Sequence, residues 1–184
     1  MKRNRKLFLT ALFCFSIPLV VKAQVYIDKT AQVSIFSSTP IEDIKATSHS
    51  GVLVLQLPRQ EIAVQLMVKT LEFDKELMQQ HFNEDYMESD KYPVAKFKGT
   101  IEPKIDLTKD GEYNVAAKGI LNVHGVNQTR IINGKITVKN GVVSLYSVFD
   151  IACTAHHIKI PSLVVTKVAE VIQVKIQSNL NPLK

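Results

Sequence analysis

Tryptophan is absent from this chain, cysteine occurs twice in 184 residues, and no apolar run reaches bilayer length. Each shortage excludes something. Cys14 lies in the apolar leader described below and Cys153 stands alone, so the mature chain cannot hold an internal disulfide. Cys153 sits between Ala152 and Thr154 in an apolar strand pattern. A thiol there is buried and inert, because an activated one needs electropositive neighbours. A membrane-spanning helix wants about 20 apolar residues. The longest run, Leu7 to Val21, has 15 and includes Ser16 and Pro18. The seven glycines form no phosphate-cradling loop after a strand, and no nucleophile elbow is present.

Excess positive charge is also missing from the folded part. The formal charge is +6, but five of the 23 Lys and Arg fall in residues 1–23, where there is no Asp or Glu. That leaves 18 basic against 17 acidic residues and a charge near +1. A nucleic-acid binder needs clustered basic residues on its folded surface, so that class is set aside. The leader has the build of an export signal: cations at Lys2–Lys6, the apolar run, then Val21 and Ala23 at the small-residue cleavage positions. Lipidation at Cys14 is not expected, since Phe13 precedes it in mid-run. Cleavage after Ala23 leaves one domain, residues 24–184, large enough for a proper core.

What fills that domain is period-two alternation. Ile62, Val64, Leu66 and Val68 alternate with smaller or polar residues, as do Ala95, Phe97, Gly99 and Ile101; Leu121 and Val123; Ile132, Gly134, Ile136 and Val138; Phe149 and Ile151; and Ile172, Val174 and Ile176. One apolar and one polar face per segment is the mark of antiparallel strands with one wet side. Strands are expected at 33–37, 41–48, 51–57, 61–70, 93–102, 112–123, 129–139 and 142–151, with a further long one at 167–180. Asp110-Gly111, His124-Gly125 and Asn140-Gly141 signal tight turns. Residues 74–88 break the pattern. They read as one or two short helices, capped by Asp74, with Leu77, Met78, Phe82 and Met87 at roughly helical spacing. Such a meander makes either a sandwich or a closed barrel, and its interior either a solid core or a cavity; the pattern does not choose.

Candidate reactive groups are few. His81 and Glu84 have the i,i+3 spacing of some metal sites but stand alone, so no metal and no cofactor are expected. His156 and His157 would point to opposite faces of a strand and cannot chelate together. Glu84, Asp85, Glu88 and Asp90 meet no calcium-loop spacing and read as a solvated face. Lys96 and Lys98 share an outward face. No base, nucleophile and oxyanion site assemble, so an enzyme is not expected; were there one, His124, His156 and His157 would carry it.

Four stretches add a resemblance. SSTPIEDIKA (37–46), LMQQHFNEDYMESDKYPVAKFKGTI (77–101), GILNVHGVNQT (119–129) and IKIPSLVVTKVAEVIQVKI (158–176) together resemble the YceI-like family in the form common in Bacteroidetes-type bacteria. The run from Tyr86 to Gly99 is the most specific, and the resemblance covers about residues 25–182. It implies an all-β fold: an extended eight-stranded antiparallel lipocalin-like barrel, exported to the periplasm, holding a polyisoprenoid, isoprenoid quinone or fatty chain without catalysis. The lining residues would then be Val64, Leu66, Ala95, Phe97, Leu121, Val123, Ile132, Ile136, Phe149, Ile172 and Val174, with Ala95 and Gly99 leaving room for the chain. The family's acidic-aromatic pair before the I-x-I-P stretch is replaced here by Ala155 and His156. His156 becomes the candidate donor to a headgroup oxygen. The competing reading is a ligand-free interaction barrel partnering an envelope or electron-transfer protein. Transient contact with a membrane or envelope protein, and a homodimer, are compatible with either.

Overall fold

The computed structural model describes residues 25–39, 43–160 and 169–183. The expected export signal and the 161–168 part of the last quoted stretch lie outside the described residues. So do residues 41–42 and 167–168 of two expected strands.

Eight strands close into one antiparallel ring in which neighbours in the chain are neighbours in space. β1 (Val25–Ser38) pairs with β2 (Asp43–Gln56), which pairs with β3 (Glu61–Met67). The ring continues through β5 (Val94–Glu102), β6 (Gly111–Val123), β7 (Val126–Lys139), β8 (Val142–Ala152) and β9 (Val171–Pro182), and β9 returns to β1. A two-residue strand, β4 (Glu72–Phe73), continues the line of β3 beside β2 after a 3-10 turn at Val68–Thr70. Closure leaves the ring without an edge strand. Helix α1 (Glu76–His81) and a π-helical turn, Phe82–Tyr86, follow β4. Among the described residues no helix is long and apolar enough to cross a membrane.

Alternation becomes an inside and an outside. On β8, Val143, Leu145, Ser147 and Ile151 are buried, whereas Val142, Tyr146, Val148 and Asp150 are exposed. His124-Gly125 and Asn140-Gly141 make the two-residue hairpins, with positive φ at all four residues as the right-handed twist of the flanking strands requires. Asp110-Gly111 does not make a hairpin turn. It ends the eight-residue loop 103–110 between β5 and β6.

The expected strands 41–48 and 51–57 are a single strand. β2 runs through Ser48-His49-Ser50-Gly51 with a bulge, and Gly51 faces Ala31 so closely that a Cβ there would lie 2.7 Å from the Ala31 carbonyl oxygen. The nine expected segments therefore make eight ring strands. β1 begins at Val25, well before the expected 33. Lys75, not Asp74, occupies the N-cap of α1, with no side-chain cap bond.

The two ends of the barrel differ. At the far end are the β2–β3 turn, the 103–110 loop and the β7–β8 turn. Buried Gln60, in a left-handed conformation, bonds the Leu57 carbonyl through Nε2 and accepts the Ile105 N–H through Oε1. That draws the loop across, and Ile105 and Leu107 are buried beneath it. At the other end, the mouth, are residues 68–93, the β6–β7 turn and residues 153–160 after β8.

Candidate functional site

The inward faces do not meet everywhere. Between the mouth and the middle of the barrel they enclose a cavity of about 500 Å³. Its wall is apolar and comes from nearly every strand. Of the expected lining residues, Val64, Leu66, Ala95, Phe97, Val123, Ile132, Phe149, Ile172 and Val174 face this space. Leu121 and Ile136 do not; both are buried in the wall and floor without reaching the cavity, and Ile136 has no exposed surface. Gly99 leaves no room for a ligand either. A Cβ on it would meet the Phe97 ring at 2.8 Å, so the ring already fills that space.

Strand parity alone would have found several further lining residues, among them Val33, Ile35, Leu145 and Ile176. Others come from the lid over the mouth: Leu77 and Met78 of α1, and Phe82, Tyr86 and Met87 after it. Leu77 is 64% exposed while touching the cavity, so it stands at the rim. The lid is held by the Phe73–Phe82 ring contact at 4.8 Å, the Lys69–Asp90 ion pair at 2.6 Å, and a bond from the Ser89 hydroxyl to Asn83. Burial, helped by the Asp85 charge, pushes the Tyr86 phenol above its ordinary pKa, which keeps it a neutral donor. Cys153 lines the cavity as a buried thiol whose pKa burial raises.

Metal-like spacing in the lid comes to nothing: His81 Nδ1 faces Asp85 at 3.2 Å, and Glu84 accepts from Gln80. Among the described residues no group of three His, Cys, Asp or Glu side chains could hold a metal ion.

The histidines do something different from what their sequence positions suggest. Cys153–His156 is a 3-10 turn, not strand, and His157 follows with φ 56°. His156 is fully buried, and its Nδ1 donates to the Val123 carbonyl at 3.2 Å. Among the described residues its Nε2 has no hydrogen-bond partner. Burial pulls its pKa below the ordinary value, against the Val123 and Val126 carbonyls and with the Arg130 and His124 charges. The ring does not border the cavity. His124, at the β6–β7 turn, joins the two segments that frame the mouth. Its Nδ1 lies 3.1 Å from the His156 carbonyl and its Nε2 2.9 Å from the Glu88 carboxylate. Both partners are hydrogen-bond acceptors. The His124 bond, with the Lys91 charge, holds the Glu88 pKa below the usual carboxylate range. Tyr92 packs edge-on against His124 at 4.4 Å, and Gln128 holds the Ala155 carbonyl.

A deep apolar pouch inside an up-and-down barrel, with a separately built lid, is now fixed by geometry. The sequence matches the family model described as the YceI-like domain over residues 24–180. The chain belongs to the YceI-like family. None of the curated proteins matches it. Solved structures share its fold at low identity. A polyisoprenoid binding domain from Saccharophagus degradans, implicated in plant cell wall breakdown, aligns with TM-score 0.73 and 12% identity over 88% of this chain and 100% of that one. BcnA from Burkholderia cenocepacia aligns at 0.66 and 17%, over 82% and 96%. A YceI protein from Campylobacter jejuni aligns at 0.56 and 16%, over 73% and 81%.

Proposed function

We propose that this chain is an exported, periplasmic, non-enzymatic carrier of a long apolar lipid of the polyisoprenoid, isoprenoid quinone or fatty-chain class, acting in its transport, storage or protection. The observation that carries the proposal is the apolar pouch of about 500 Å³. Family membership and the polyisoprenoid-binding relative support the same class. The driving force is burial of chain methylenes, about 0.8 kcal/mol each. An interaction barrel without a ligand would be expected to fill this space with side chains. Delivery to and from a membrane or envelope partner would occur at the mouth, where Leu77 is exposed.

Native mass spectrometry on the mature chain purified from its own envelope, before and after denaturation, tests this. A bound mass matching an isoprenoid or fatty chain, lost on denaturation, is the expected result. A bare polypeptide that also fails to take up added long-chain lipid would refute it.

A further inference from the structure

We infer that the barrel gauges chain length: its floor, with Ile101 as the stop, admits about three isoprene units and no more. This rests on the lipid-binding reading above. On six of the ring strands the lining stops part-way down the barrel, and on β2 only Ile44 borders the cavity. The lowest lining residues are Val33 on β1, Ile62 on β3, Ile101 on β5, Val115 on β6, Leu145 on β8 and Ile176 on β9. Below that level the interior is solid: Leu53, Leu55, Ile136, Val138, Val143 and Leu180 are each at most 3% exposed, and none borders the cavity. The pouch is therefore blind, and a chain cannot run through it.

The strand geometry gives its capacity. On β5 the lining runs from Ala95 to Ile101, and on β8 from Leu145 to Ile151. Six residue steps of about 3.3 Å on strands tilted by about 40° make a depth of about 15 Å. With bonds of about 1.5 Å, a zigzag hydrocarbon advances roughly 1.3 Å per carbon, so this depth takes about 12 main-chain carbons, which with their methyl branches is about 15 carbons in all. A longer polyisoprenoid would have to leave its remaining units at the lid.

The test is a series of prenyl alcohols of 10, 15, 20 and 40 carbons, competed for the mature chain after solvent extraction. Affinity should rise at least tenfold from 10 to 15 carbons and then stay within threefold. Ile101→Ala should move the plateau to 20 carbons. Ala117→Phe should move it down to 10, because Ala117 faces Ile101 across β5–β6 and borders the cavity. If Ile101→Ala does not fold, Ala117→Phe decides alone. A 40-carbon alcohol binding more than tenfold tighter than the 15-carbon one, or a plateau that the folded variants leave at 15, would overturn the length limit. Failure of all four alcohols to bind would instead refute the lipid-binding reading itself.

Discussion

The ring closes where its first and last strands meet, and one carboxylate repairs the ladder there. Between the pairs Ile27–Asn181 and Gln32–Gln177, β1 advances five residues while β9 advances four, so β1 carries a bulge. The β9 donors left over are taken by Asp28, which is 8% exposed. Its Oδ2 accepts the Asn179 N–H at 3.0 Å and the Ser178 hydroxyl at 2.8 Å. Its Oδ1 accepts the Thr30 N–H at 2.8 Å and the Thr30 hydroxyl at 2.9 Å. Burial alone would raise the Asp28 pKa, but these bonds outweigh it and hold the group below its ordinary value. Asp28→Asn tests the arrangement with almost no change of shape. Each side of the carboxylate faces a backbone N–H, so whichever way the amide flips, its NH2 confronts a donor. Two charge-assisted bonds are lost, and at about 1.5 kcal/mol each the variant should be destabilised by about 3 kcal/mol at pH 7. The sign with pH follows. A depressed folded-state pKa stabilises fully above the unfolded value, and that contribution is lost as pH falls through the folded value. The gap between wild type and Asp28→Asn should therefore close on acidification below about pH 4. Urea unfolding followed by circular dichroism across pH 2.5–7 reads both. A gap under about 0.5 kcal/mol at pH 7, or one that does not change with pH, would refute the reasoning.

Three further outcomes follow from other parts of the barrel. His124→Ala should lower hydrogen-exchange protection at both Met87–Tyr92 and Thr154–Ile158 by about five- to tenfold while leaving Ile136–Leu145 unchanged; loss at one segment alone would show that His124 does not join them. Gly119→Ala should cost about 1–3 kcal/mol in urea unfolding, because a Cβ there would lie 2.1 Å from the Lys98 carbonyl oxygen; a neutral result would mean β5 and β6 are not held that close. His156, whose pKa burial depresses, is neutral in the folded state, so stability should fall as pH drops below the ordinary histidine value of 6.5. Thermal unfolding of His156→Phe should lose that segment of the pH dependence, and an unchanged profile would count against a buried neutral ring.

The wall was legible in sequence because alternation is a local signal: a residue's parity on Ile172–Ile176 or Ala95–Ile101 fixes its face without knowledge of the partner strand. Whether a residue on that face borders a void is not local. Ile136 has the same parity as Ile132, yet the void ends between them, since that depends on what side chains of other strands, such as Leu53 of β2, fill. The expected break between strands 41–48 and 51–57, at Gly51, failed for a similar reason. Its Ser-rich surroundings have turn composition, but the demand on it is the close approach of β1. His124 and His156 could not be read at all. Their roles depend on a 3-10 turn at 153–156 and on Glu88, 36 residues away in the chain, and neither leaves a periodic trace.

The division of the barrel into a solid end and a hollow end also bears on how such a chain can change. Below the floor, side chains interlock, and altering one volume disturbs its neighbours. Around the pouch they already lack partners across the axis, so Val174 or Phe149 can grow or shrink into free space with little penalty to the fold. Ligand preference can therefore drift by single substitutions in one half while the other half keeps the ring intact.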